Sequence, residues 1–118
     1  MITIYHNPRC SKSRETLALL ESLKPTGEEI QVVEYLKQPL TASQLETLHQ
    51  QLGRPVSDML RDNEAPYKDL NLGERGVSDE QMYKAIAAHP ILLQRPIVVY
   101  DGNAAIGRPP EAIKVLFE

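Results

Sequence analysis

The chain has one cysteine in 118 residues, no long apolar run and no excess of positive charge, and each shortage excludes something. A lone cysteine cannot staple a fold, so Cys10 is either an inert small hydrophobe or a functional thiol. No stretch approaches the roughly 18 apolar residues of a membrane span, and the opening MITIYHNPRC has no basic region followed by an apolar one. The expectation is a cytoplasmic protein without a membrane partner. A net charge of -3 offers no overall attraction to nucleic acid, so any anion site must be built locally from basic residues. Repeats and low-complexity tracts are also missing. What is present, 42% hydrophobic and 25% charged residues, is ordinary for a globular chain and implies one domain over residues 1–118 with one modest core.

Ile2-Thr3-Ile4-Tyr5-His6 reads as a strand that Asn7-Pro8 breaks. From Ser11 onward Thr16, Leu17, Leu20 and Leu23 recur at helical spacing until Pro25-Thr26-Gly27 stops the run. Ile30 to Tyr35 reads as a second strand, and strand, helix, strand in short order implies a parallel pair. Residues 40–93 are poor in β-branched side chains and read as a helical insertion. One helix starts at the Thr41 cap and ends at Gly53-Arg54-Pro55, a short one covers Val56 to Arg61, and another runs from the Ser78 capping box to Ala88. Asp101-Gly102 between Arg95–Tyr100 and Asn103–Ile106 is a hairpin signal. Pro109-Pro110-Glu111 suits the first turn of a last helix, with Ile113, Leu116 and Phe117 on its apolar face. The result is an α/β protein in which βαβ and ββα halves, a four-stranded mixed sheet with flanking helices, enclose an all-helical insertion. That order is the thioredoxin-like plan, with Pro96 at the start of the third strand.

Cys10 falls at the junction of the first strand and first helix. A thiol is a nucleophile only as thiolate, and its pKa drops at a helix N-terminus or beside cations. The first-turn N–H groups of Ser11 to Ser13 would point at the sulfur, with Arg9, Lys12 and Arg14 adding charge, and the same end binds oxyanions. His6, at the strand end, is a surface histidine or a protonated imidazole that supports the thiolate directly or through the loop. Cys10-Ser11-Lys12-Ser13 has the spacing of a redox Cys-x-x-Cys with serine in the second place, so an oxidised state needs an external thiol. Ser13 either donates to the thiolate or an anion, or serves the first helical turn. Cysteine-phosphatase chemistry is excluded, because the sixth residue after Cys10 is Thr16 rather than arginine. His49 and His89 lie at ordinary helix positions without partners at metal-ligand spacing, so no metal is expected.

His6-Asn7-Pro8-Arg9-Cys10-Ser11-Lys12-Ser13-Arg14, Leu60-Arg61-Asp62-Asn63, Pro66-Tyr67, Arg95-Pro96-Ile97-Val98-Val99 and Arg108-Pro109-Pro110-Glu111 occur in that order along the chain. Together they resemble the glutaredoxin-coupled arsenate reductase (ArsC-like) family. The resemblance implies that Cys10 attacks arsenate, that Arg61, Arg95 and Arg108 surround the oxyanion and the adduct, and that His6 tunes the thiol. It implies a cis Arg95-Pro96 bond, glutathione as co-substrate, glutaredoxin as partner and no bound cofactor. Ser11, Lys12 and Ser13 would line the substrate, Ser11-Lys12 standing where the family tends to carry Gly-Thr. Guanidinium forks suit tetrahedral oxyanions on physical grounds too, although each arginine has a plain alternative: a solvated helix residue, a strand-edge charge or a helix cap. Two other functions fit the same fold, an Spx-type regulator that binds RNA polymerase and a monothiol glutaredoxin-like exchanger. Cys-x-x-Ser and Arg108 favour the enzyme over the regulator.

Overall fold

The computed structural model describes all residues from Met1 to Glu118. The chain forms two compact units, one of residues 1–38 with 95–118, the other of residues 39–94.

In the first unit, strand β1 (Ile2–His6) leads through Asn7–Cys10 into helix α1 (Ser11–Leu23), and strand β2 (Ile30–Glu34) follows. Strands β3 (Ile97–Tyr100) and β4 (Asn103–Ile106) complete a sheet of order β2-β1-β3-β4. β1 runs parallel to β2, with Ile4 opposite Val32, and antiparallel to β3, with Ile4 opposite Val98. Only alternate residues of β1, namely Ile2, Ile4 and His6, are buried, as a strand with one covered face requires. Asp101 and Gly102 both have positive φ, 50° and 78°, the backbone that a two-residue type I′ hairpin needs.

Ile2, Ile4, Leu20, Val98 and Ile113 are fully buried together, with Leu17, Leu23, Leu116 and Phe117 packed around them. Each such side chain contributes about 1.5–3 kcal/mol by leaving water. Residues Pro110–Phe117 present the expected apolar face, but they wind as a 3₁₀ helix rather than an α-helix. The tighter winding is set at the start, where Ala112 N–H donates to Pro109 O at 3.0 Å, an i to i+3 bond.

The second unit contains helices α2 (Ala42–Leu52), α3 (Ala65–Asp69) and α4 (Asp79–Ala88) and two 3₁₀ turns, Val56–Met59 and Pro90–Leu92. Both α2 and α4 begin with capping boxes: Gln44 N–H donates to Thr41 Oγ1 at 3.1 Å and Gln81 N–H to Ser78 Oγ at 3.2 Å, each glutamine side chain accepting from its cap's backbone N–H. Gly53, at φ 63°, closes α2 in the left-handed conformation. His49, unremarkable in the sequence, links α2 to α4 through a 2.6 Å hydrogen bond between Nδ1 and Tyr83 Oη, while Nε2 meets Arg54 O at 2.8 Å. The five-residue α3 and the turn at Pro90–Leu92 are too short to leave a periodic signal, and the 3₁₀ turn at Val56–Met59 is shorter than the helix expected to Arg61.

One close approach fixes α1 against the β3 entry. Gly107 N–H donates to Pro96 O at 2.9 Å, and Thr16 Oγ1 donates to Lys12 O at 2.8 Å and lies 3.3 Å from Gly107 O. A Cβ on Gly107 would sit 2.6 Å from Thr16 Oγ1 and 2.9 Å from Pro96 Cγ. Gly107→Ala is expected to lower stability by about 1–3 kcal/mol, read as a reduced midpoint in denaturant unfolding. A midpoint equal to that of the wild type would contradict this packing.

Candidate active site

Cys10 occupies the cap position of α1, with extended backbone (φ -92°, ψ 123°) and no acidic residue in the first helical turn. Its own N–H donates to Asn7 O at 3.0 Å, so Asn7–Cys10 is a tight turn that delivers the thiol to the end of the helix. Asn7 Oδ1 accepts from Arg9 N–H at 3.0 Å, and Asn7 N–H donates to Ser13 Oγ at 3.0 Å. Asn7 thus sets the loop geometry, a role its place in an Asn-Pro strand breaker does not disclose.

Cys10 is partly exposed. Burial pushes its thiol up, but the Ser13 backbone N–H, the hydrogen bond and charge of the Arg95 guanidinium, and the Lys12 backbone N–H together outweigh that effect and hold the pKa below the ordinary thiol value. The sulfur is therefore biased toward the thiolate in a setting that favours anions. The first-turn N–H groups act as the sequence led one to expect, but the flanking cations named with them do not all do so. Lys12 Nζ is turned to Glu15 Oε2 at 3.4 Å, and Arg14 donates to Pro8 O at 3.0 Å, so their side chains are occupied elsewhere and Lys12 serves the sulfur through its backbone. Ser11 contributes the exposed first residue of the helix.

Ser13 likewise acts through its backbone N–H. Its fully buried hydroxyl accepts from Asn7 N–H and lies 2.6 Å from His6 Nδ1. With one lone pair taken by Asn7, the hydroxyl proton is best satisfied on Nδ1 of a neutral imidazole. Burial holds His6 below the ordinary histidine value, Glu34 pulling it up and Arg14 pushing it down. The surface reading of His6 is corrected, since the ring is buried; burial favours its neutral form over the protonated one, and it reaches the site through Ser13.

The Arg95–Pro96 and Arg108–Pro109 bonds are both cis. Arg95 enters from the loop before β3, and Arg108, from the loop after β4, donates to Arg95 O at 3.1 Å. Within the first unit, Arg95 and the Ser13 N–H meet Cys10, His6 is joined to them through the Ser13 hydroxyl, and Arg108 through the Arg95 carbonyl. Arg61 belongs to the second unit, where Nε donates to Glu64 Oε2 at 3.3 Å and Nη1 to Gln94 Oε1 at 3.5 Å. No cluster of three or more His, Cys, Asp or Glu side chains is placed to hold a metal ion. No helix is long and apolar enough to cross a membrane.

A four-stranded mixed sheet with a thiol at the N-terminus of the first helix and a cis-proline ahead of the third strand defines a thioredoxin-like thiol protein. The chain matches the ArsC family over residues 5–116 and belongs to that family. It is 42% identical to the arsenate reductase of Haemophilus influenzae, covering 95% of each chain, and 43% identical to that of Neisseria meningitidis, covering 98% of this chain and 97% of the relative. It is 48% identical to the uncharacterized protein YfgD of Escherichia coli, over 95% of this chain and 92% of the relative. The structure of the arsenate reductase from Vibrio cholerae superposes with a TM-score of 0.90 at 49% identity, over 98% and 96% of the two chains.

Two substitutions test the site. Ser13→Ala leaves a buried Asn7 N–H and His6 Nδ1 without their partner and is expected to cost about 1–3 kcal/mol, measured by denaturant unfolding; an unchanged stability would contradict the network. Arg95→Ala removes a contact that favours the thiolate, so the midpoint of the pH dependence of iodoacetamide alkylation at Cys10 is expected to move upward. An unmoved midpoint would remove Arg95 from the thiol's environment.

Proposed function

We propose that the protein is an arsenate reductase that acts in the cytoplasm and draws its electrons from glutathione and glutaredoxin. The observation that carries this reading is the Arg95 guanidinium against the Cys10 thiol at the N-terminus of α1, an arrangement that both activates a nucleophile and receives an oxyanion. Arg108, hydrogen-bonded to the Arg95 carbonyl, adds a second guanidinium to the same corner. The curated relatives at over 40% identity that bear the name arsenate reductase support the substrate.

In the proposed reaction the Cys10 thiolate attacks arsenic of H₂AsO₄⁻, forming an S–As bond as one arsenate hydroxyl takes up a proton from solvent and leaves as water. Arginine charge offsets the negative charge that gathers on the arsenate oxygens, and fixed donors of this kind are worth most where water is excluded. Glutathione then attacks the Cys10 sulfur; the S–As electron pair leaves with arsenic, now As(III), as H₂AsO₃⁻, and a Cys10–glutathione disulfide remains. Glutaredoxin accepts the glutathionyl group by thiol exchange and returns Cys10 to the thiol. With no second cysteine in the chain, the resolving thiol comes from outside. The reaction needs no bound cofactor. Neutral His6 holds Ser13, and so the first-turn N–H groups, in register with the sulfur; it takes no proton in the scheme.

The test is arsenate-dependent NADPH oxidation in the presence of glutathione, glutaredoxin and glutathione reductase. Wild type is expected to turn over, Cys10→Ser to be inactive, and Arg108→Ala to lose about 10²-fold or more in kcat/KM, the scale for removal of one oxyanion donor. Wild-type protein with no arsenate turnover would overturn the reading, and retained exchange with glutathione disulfide would then identify a thiol-exchange protein.

A further inference from the structure

A cleft of about 180 Å³ lies at the ends of β1 and β2, lined by His6, Asn7, Pro8, Arg9, Glu34, Leu36 and Lys37. It opens where two parallel strands end, a usual place for ligands in open α/β sheets, and none of the proposed oxyanion arginines lines it. One wall is the Asn7–Pro8–Arg9 turn, which runs directly into Cys10 and is held by the Cys10 N–H to Asn7 O bond of 3.0 Å. Its charges are two cations and one carboxylate. No carboxylate pairs with the exposed Arg9 guanidinium, and Lys37 Nζ shares Glu34 at 3.6 Å with its side chain 79% exposed. Leu36, at 42% exposure, is one of the chain's few exposed large apolar side chains, and its neighbours in the cleft wall are the Pro8 ring and the strand ends.

We infer that this cleft is the docking site of the thiol co-substrate, receiving a carboxylate-bearing arm of glutathione while the glutathione sulfur reaches Cys10. The inference rests on the thiol chemistry of the preceding reading but not on arsenate. A net positive, partly apolar cleft next to the nucleophile suits a small peptide with two carboxylates and short aliphatic stretches. The volume is below the roughly 300–1,000 Å³ of a pocket that encloses a drug-sized ligand, so the cleft takes one arm of the tripeptide and leaves the cysteinyl part free to approach the sulfur. Glu34, paired with Lys37 at 3.6 Å, is the carboxylate in this wall that an ammonium on the ligand would meet.

The reaction that isolates this step is exchange with glutathione disulfide: the Cys10 thiolate attacks one sulfur, the S–S bond breaks, glutathione leaves as its thiolate and a Cys10–glutathione disulfide forms. Intact-mass kinetics on the wild-type protein and on Arg9→Glu/Lys37→Glu would compare glutathione disulfide with the uncharged bis(2-hydroxyethyl) disulfide. The expected result is a fall of about tenfold in the rate ratio of the charged to the uncharged disulfide in the double variant; an unchanged ratio would overturn the inference. As a measurement that needs no variant, amide shifts on titration of the wild-type protein with non-reactive S-methylglutathione are expected at Arg9, Leu36 and Lys37, whereas shifts confined to other residues would overturn it. If wild type shows no arsenate turnover but S-methylglutathione maps to the cleft, the arsenate reading fails and this one stands. If arsenate is reduced but the ratio does not change, the reverse holds.

Discussion

The site depends on one balance at Cys10, in which the cost of partly burying a thiolate is set against the hydrogen bonds and charge supplied to it. Two backbone N–H groups of α1 and the Arg95 guanidinium tip that balance toward the ionised form. The same donors are what an incoming oxyanion would meet, so activation of the nucleophile and reception of the substrate draw on one arrangement. A cysteine at the cap position makes this possible, because the cap is where a helix leaves N–H groups unpaired, and here no acidic residue in the first turn competes for them.

The rest of the first unit holds those donors still. Asn7 closes the turn before Cys10, and its N–H reaches Ser13 Oγ, which His6 Nδ1 fixes from the sheet. Burial keeps His6 below the ordinary histidine value, and a neutral ring can accept the serine proton where a protonated one could not. On the other side, Thr16 and Gly107 tie the first turns of α1 to the end of β4, with the Pro96 carbonyl on the Gly107 N–H. Arg95 precedes that proline, and Arg108 follows that glycine and returns to the Arg95 carbonyl. The loops on either side of the β3–β4 hairpin therefore carry the arginines to the helix end that carries the cysteine.

Local patterns made the frame legible. The run Ile2 to His6 broken by Asn7-Pro8, the Asp101-Gly102 turn and the Thr41 and Ser78 caps encode their elements within a few residues, and the structure has them where those patterns fall. The position of Cys10 at a strand–helix junction was equally local. What escaped depends on contacts between distant segments. The charge state of His6 follows from burial, which no short pattern records. The basic residues beside Cys10 drew attention by proximity in sequence, yet Lys12 and Arg14 turn to Glu15 and Pro8, while Arg95, remote in the chain, meets the sulfur. Only the family resemblance pointed to Arg95. Gly107 and Thr16 had no signal at all, since a glycine's need to admit a neighbour's hydroxyl is visible only once the two are packed.

The central claim is that these donors bias Cys10 toward the thiolate, and the chain's single cysteine allows it to be tested without ambiguity. Thiolate absorbance near 240 nm, followed as pH is raised and corrected with Cys10→Ser, reports the ionisation of this one sulfur. Half-ionisation is expected at a lower pH than the midpoint of the same cysteine in the unfolded chain, because the helix N–H groups and Arg95 favour the ionised form. A midpoint at or above that of the unfolded chain would contradict the claim, because burial would then have prevailed over the helix N-terminus and Arg95.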